Sequence, residues 1–132
     1  MKRTIHRVIV ICSIFILFIY TANGQRSSSI KKNRDMLKEY FLYSCIRYGF
    51  ESKNISDIDH SGAVYIDLLR YDLKAINITD SLAKNFINSI ESSNYEGHNT
   101  KGIIILSIEK YKSNELDKFI KSMDKYMIKQ DK

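Results

Sequence analysis

Proline and tryptophan are absent from these 132 residues, glycine occurs five times and cysteine twice. Without proline nothing forces the chain out of a helix, so breaks are expected only where turn-forming residues cluster. Scarce glycine fits the absence of any Gly-rich phosphate loop, and neither GxSxG nor a paired-carboxylate signature stands out. Two cysteines are too few for a disulfide scaffold. The three histidines, His6, His60 and His98, are far apart and form no HxxxH or CxxC spacing, so no metal site and no cofactor is expected.

What is present begins with an export signal. Lys2, Arg3 and Arg7 precede an apolar run from Val8 to Tyr20, and Ala22-Asn23-Gly24 offers small residues for cleavage. The run is roughly 13 residues, short of the about 20 that a spanning helix needs. The expectation is a secretory signal peptide over residues 1–24 and a single domain over 25–132, in the periplasm, with no membrane attachment after cleavage. Cleavage removes three of the 21 basic residues and none of the 15 acidic ones, leaving a net charge of +3. Those lysines are dispersed among acids and form no concentrated basic patch, so nucleic acid is not an expected partner.

Cys12 would leave with the signal, so the mature chain is expected to carry Cys45 alone and no disulfide. Oxidising compartments favour paired cysteines or none. A lone cysteine there is a buried apolar residue, half of an intermolecular bridge, or the remnant of a lost pair.

Helical spacing dominates the rest. Gln25 to Ser29 reads as a frayed tail. Lys31 to Phe50 forms a first helix with Leu37, Phe41, Cys45 and Tyr48 on one face, and Gly49 ends or caps it. After the polar joint ESKNISDIDH, a second helix is expected from Ser56 or Asp57 to about Ile76, with a stripe of Ala63, Ile66, Leu69, Leu73 and Ile76. Thr79 caps a third helix bearing Leu82, Ala83, Phe86, Ile87 and Ile90, with Asp80 in its first turn. Ser92 to Thr100, SSNYEGHNT, reads as an exposed loop. The run GIIILSI is ambiguous between strand and helix. With no partner strand in view it is assigned to a helix reaching Tyr111. Ser113 or Asn114 caps a last helix whose stripe, Leu116, Phe119, Ile120, Met123, Tyr126 and Met127, runs to the end. The fold class is all-α, a compact bundle of about five helices.

Catalytic chemistry finds little support. Cys45 with His60 or His98 would make a thiol–imidazole pair, but a nucleophilic cysteine wants a helix N-terminus and exposure, and Cys45 sits late in an apolar stripe. Asp57, Asp59 and His60 read as helix-start residues placed by the dipole. No catalytic residue is assigned. Asn54-Ile55-Ser56 and Asn77-Ile78-Thr79 match the glycosylation sequon, which matters only in a eukaryotic secretory pathway. Tyrosine is the unusual supply, nine in all. Tyr95 differs from the rest because it lies in the polar loop, where an aromatic is a contact candidate. The residues alone describe a small exported helical domain that binds something.

Several elements together resemble the periplasmic immunity proteins that neutralise type VI secretion amidase effectors, the all-helical family paired with the fourth group of those amidases. They are the Cys45-Ile46 pair in FLYSCIRYGF, Ser61 and Tyr71-Asp72-Leu73 in the central region, Lys101-Gly102 opening an apolar helix, and EKYKSNELDKFI. The resemblance spans roughly residues 36 to 122. Many members carry a second cysteine in the fourth helix, at a place that aligns with Ser107, which would make Cys45 the survivor of a pair. The resemblance further implies a homodimer and inhibition by occlusion of the groove of a peptidoglycan amidase. Carried onto this chain, the implied effector contacts are the loop from Asn94 to Thr100, with Tyr95 as anchor and Glu96, His98 and Asn99 as polar contacts. The outward residues Asn85, Asn88 and Glu91 of the preceding helix extend it. The rival expectation is an exported binding module of another kind, such as a lysozyme inhibitor or an envelope adaptor.

Overall fold

Residues 27–49 form one helix, α1, which supplies the axis of the core because it can bury a wide face: Leu37, Tyr40, Phe41, Ser44 and Cys45 are all removed from solvent. The computed structural model describes residues 27–50 and 55–128. The expected signal peptide, Gln25, Asn54 and the rest of the 51–54 stretch therefore lie outside the described residues. Residues 27–32 belong to a separate N-terminal unit, and Asn33 onward forms the main body.

Helix α1 covers residues 27–49 and so begins earlier than the periodicity suggests, taking in Ser27 to Ser29 of the stretch assigned to a frayed tail. It is followed by α2 (Ile55–Ile58), α3 (Ser61–Leu68), α4 (Leu73–Ser89), α5 (Ile103–Tyr111) and α6 (Asn114–Ser122). Five of these helices have eight residues or more, and the fold is all-α, as expected. Between α4 and α5 lie two short antiparallel strands, β1 (Ser93–Tyr95) and β2 (His98–Thr100). The expectation of an exposed loop from Ser92 to Thr100 is refined accordingly: the stretch is a paired hairpin.

The second expected helix is also corrected. It is not continuous from residue 56 to 76 but ends at Leu68, and the chain then runs through Leu69 to Asp72 before α4 begins. That interruption resets the helical phase. Of the expected stripe only Leu69 and Ile76 are buried, whereas Ala63, Ile66 and Leu73 are exposed. The cap of α4 is Asp72, whose carboxylate accepts the Lys74 N–H at 2.7 Å. Thr79 is no N-cap: it is buried in mid-helix, and its hydroxyl donates to the Ala75 carbonyl at 2.8 Å. Ser113 caps α6 as expected, its Oγ accepting the Leu116 N–H at 3.1 Å.

The last helix stops short of the terminus. A 3-10 turn (Met123–Tyr126) follows α6, and Met127 then forms a bridge with Tyr71. The Ile128 N–H donates to Arg70 O and the Asp72 N–H to Tyr126 O, so the chain end is stitched to the α3–α4 connection. Asp124 strengthens the stitch by accepting hydrogen bonds from Arg34 and from the Tyr71 hydroxyl.

Helix α5 packs against α1 in the opposite direction. Ile103 meets Gly49, Ser107 lies near Cys45, and the Lys38 ammonium sits 4.7 Å from the Tyr111 ring centre. The Gly49 contact admits no side chain, since a β-carbon there would stand 2.2 Å from Ile103 Cγ2. Gly49 is thus required by close approach at the last residue of α1. Phe41, Leu37 and Leu116 are the largest fully buried apolar side chains, each worth about 1.5–3 kcal/mol of burial.

Candidate functional site

Two groups of chemically capable side chains compete for attention, and they differ in what they can do. The first is internal. Asp80 of α4 faces α1 and accepts from Ser44 Oγ at 2.9 Å, Arg47 Nη2 at 2.7 Å and Tyr40 OH at 3.4 Å, while its other oxygen accepts from Tyr48 OH. The Arg47 guanidinium also lies over the Tyr48 ring, 4.4 Å from its centre. Burial, with the hydrogen bond to Asp80 and its charge, pushes the Tyr48 phenol up to about 12. Four donors take up most of the acceptor capacity of this carboxylate. This cluster binds α4 to α1 and is a structural joint. It was not legible in the sequence, where Asp80 reads as a first-turn acid of a helix beginning at Thr79.

Cys45 is likewise internal. It is the free cysteine among the described residues and has no solvent exposure. Burial pushes its thiol up to about 12, and Ser107 pulls it down only in part. Ser107 Oγ is itself buried and makes no hydrogen bond of ordinary geometry, so the two groups are neighbours without a well-formed bond. A nucleophile needs the thiolate near neutral pH, which these surroundings disfavour. His60 is exposed ahead of α3, and Asp59 beside it accepts both the N–H and the hydroxyl of Ser61. Those contacts hold Asp59 below the usual carboxylate range and match its reading as a helix-start residue.

The second group is external and is built around the hairpin. Helix α4 ends in Ile90, whose backbone is extended (φ −71°, ψ 116°) and whose side chain is buried. Ile103, also buried, opens α5 after Gly102. These two isoleucines fix both stems in the core. The strands pair Ser93 with Thr100, Asn94 with Asn99 and Tyr95 with His98. Glu96 and Gly97 make the connection, with φ of 51° and 81°. Two successive positive φ values define a type I′ turn, which matches the twist of paired strands. The sequence carried a weak form of this signal, because the common Asn-Gly or Asp-Gly pair is here Glu-Gly.

The structure brings most of the expected contact residues to this one region. Asn94 and Glu96 are exposed on the hairpin, and Tyr95, His98 and Asn99 occupy its paired positions. Asn88 and Glu91 are exposed just before it. One feature the sequence did not reveal extends the region along α4. Asn77, Ser81 and Asn85 recur every four residues on the outer face, and with Lys74 they edge an open groove of about 560 Å³ floored by Ile78, Leu82 and Phe119. Its floor needs α6, so no local pattern foretold it. Among the described residues no group of three or more His, Cys, Asp or Glu side chains is placed to hold a metal ion. No described helix is long and apolar enough to cross a membrane. Exposed amides, a carboxylate and a firmly turned hairpin equip this face for recognising a partner surface.

No curated protein and no solved structure matches the chain. Residues 35–120, from α1 into α6, match the family Tai4, described as type VI secretion system (T6SS), amidase immunity protein. That span includes most of the helical body, the Asp80 joint, the Cys45–Ser107 contact and the whole hairpin. With well over half of its length matched, the chain belongs to the family of type VI secretion amidase immunity proteins.

Proposed function

We propose that this protein binds a peptidoglycan amidase effector in the periplasm and covers its active-site groove, protecting the cell from its own and its sisters' effector. The hairpin carries this reading: it is the exposed element whose two stems are both anchored in the core while its tip is held by a defined turn. Family membership supports an amidase as the partner. Asn94, Tyr95, Glu96, His98 and Asn99 are the proposed contacts, with Asn88 and Glu91 at the base. The protein acts by binding and has no catalytic role of its own. Residues 1–24 direct export, and the mature domain pairs as a homodimer.

The test is a titration of the purified protein into the amidase encoded beside it, with peptidoglycan cleavage as the readout. Stoichiometric loss of cleavage is the expected result. Full cleavage at saturating protein would leave an exported binding module of another kind, directed at a different partner. Sedimentation of the free protein checks the dimer.

A further inference from the structure

Eight large apolar side chains stand exposed among the described residues, and six of them lie on two helices: Val64, Ile66 and Leu68 on α3, Ile104, Ile105 and Ile108 on α5. The two helices run the same way along α1. Helix α3 runs opposite to α1, from Tyr43, which a β-carbon on Gly62 would meet, to Asn33, whose side chain accepts the Arg70 N–H at 3.1 Å. Helix α5 also runs opposite to α1, from Gly49, beside Ile103, to Lys38, above Tyr111. Where the two overlap, Tyr65 is close enough to Tyr111 for their charges to interact. Ile104 and Ile108 share the Tyr111 stripe of α5, and Leu68 lies one turn beyond Tyr65 on α3, so the exposed side chains border one seam. Single exposed aliphatics are ordinary, but a group gathered along one seam marks an interaction surface.

The charges along the seam say what covers it. From Ile55 to Leu69 the chain carries Asp57, Asp59 and Asp67 and no lysine or arginine. Asp59 is taken up by Ser61, whereas Asp57 and Asp67 are exposed and form no ion pair among the described residues. Helix α5 is flanked by Lys101 and Lys112, exposed and equally without ion pairs there, against one such acid, Glu109. An acidic helix beside a basic one is self-complementary under a two-fold rotation. We propose that this face pairs with the same face of a second copy, α3 of each molecule lying on α5 of the other. The aliphatic side chains are buried between the copies, and aspartates meet lysines at the rim. Setting α3 on α3 would instead oppose like charges, and Asp57 and Asp67 would repel an anionic lipid surface. The proposal gives the dimer of the proposed function its surface and rests on that reading.

Sedimentation velocity over a dilution series gives the dimer Kd of wild type, Leu68→Glu, Ile104→Glu and Leu73→Glu, the last at an exposed leucine on α4 outside the face. Circular dichroism melts confirm each fold. Leu68→Glu and Ile104→Glu should each weaken the dimer at least about tenfold, with Leu73→Glu within about twofold of wild type. Two further proteins reverse charges, Asp67→Lys in one and Lys101→Glu with Lys112→Glu in the other. Each alone should dimerise more weakly. Their equimolar mixture should restore the dimer, because every α3–α5 contact in the mixed pair again joins unlike charges. If wild type is dimeric and Leu68→Glu and Ile104→Glu match it, the dimer uses another face and this proposal falls while the dimer stands. If those variants dissociate but the mixture does not reassemble, the crossed packing is wrong. If wild type is monomeric at the concentration that saturates inhibition, the dimer and its surface fall together, and inhibition of the amidase stands without them.

Discussion

Gly49 and Ile103 approach so closely that a β-carbon on the glycine would stand 2.2 Å from Ile103 Cγ2. Ile103 begins α5 and forms one stem of the hairpin. Gly49→Ala therefore forces the stem outward. We expect a loss of about 1–3 kcal/mol, the usual result of overpacking a core. Urea unfolding of the two proteins measures it, and equal midpoints would refute the contact.

The Asp80 joint predicts a large effect from one carboxylate. Asp80→Ala leaves Arg47, Tyr40, Ser44 and Tyr48 without their shared acceptor. Arg47 Nε is already buried and unpaired, so the variant adds to an existing deficit. The expected destabilisation is about 1.5–3 kcal/mol, that of a hydrogen bond to a charged group. A double-mutant cycle with Arg47→Met should show clear coupling between the two positions.

Ser107 predicts a gain. Its hydroxyl is fully buried without a well-formed partner, which ordinarily costs about 1–3 kcal/mol. Ser107→Ala should raise the melting temperature, by the equivalent of about 1 kcal/mol after the small loss of packing. A lower melting temperature would mean that the hydroxyl has a partner in solution.

Cys45 sets a limit at high pH. Its thiol is raised from 9.0 to about 12 in the folded protein, first by burial. Below pH 9 both states hold the proton and no stability is lost. As pH rises from 9 toward 12 the unfolded thiol ionises while the folded one cannot, so stability falls. The slope approaches about 1.4 kcal/mol per pH unit. Stability should fall between pH 9 and 10 in wild type, and less steeply in Cys45→Val, where only the raised tyrosines remain to titrate at the upper end of that window.

Tyr95 is the expected aromatic anchor of the effector contact. Tyr95→Ala should weaken binding by about 2 kcal/mol or more, the scale of an interface hot spot, with no change in thermal stability. Calorimetric titration against the amidase decides it. Undiminished affinity would move the contact to the α4 face.

Sequence reading succeeded where one element decides its own structure. Leu37, Phe41 and Cys45 share a face because the helix repeats every 3.6 residues, and all three are buried. Ser113 caps α6 by a contact three residues away. The reading failed where structure depends on distant partners. Leu73 looks like a core residue beside Leu69 and Ile76, yet it is two-thirds exposed because the chain breaks its helix at Leu68. That break is held by the C-terminal segment through Tyr126 and Ile128, more than fifty residues away. The candidate contact residues were proposed from a polar stretch holding one aromatic and from a family resemblance, and their arrangement as a hairpin was not foreseen. Asp80 was seen as a helix-start acid because its four donors come from another helix.

The burial of Ile90 and Ile103 on either side of the hairpin has an evolutionary consequence. The exposed residues between them, such as Asn94 and Glu96, can change their chemistry without disturbing the interior, because the two stems close it off. Where the tip meets the effector, as proposed, its residues change as that effector changes. A lineage of this protein can then exchange the tip to follow an altered effector while inheriting the same scaffold intact.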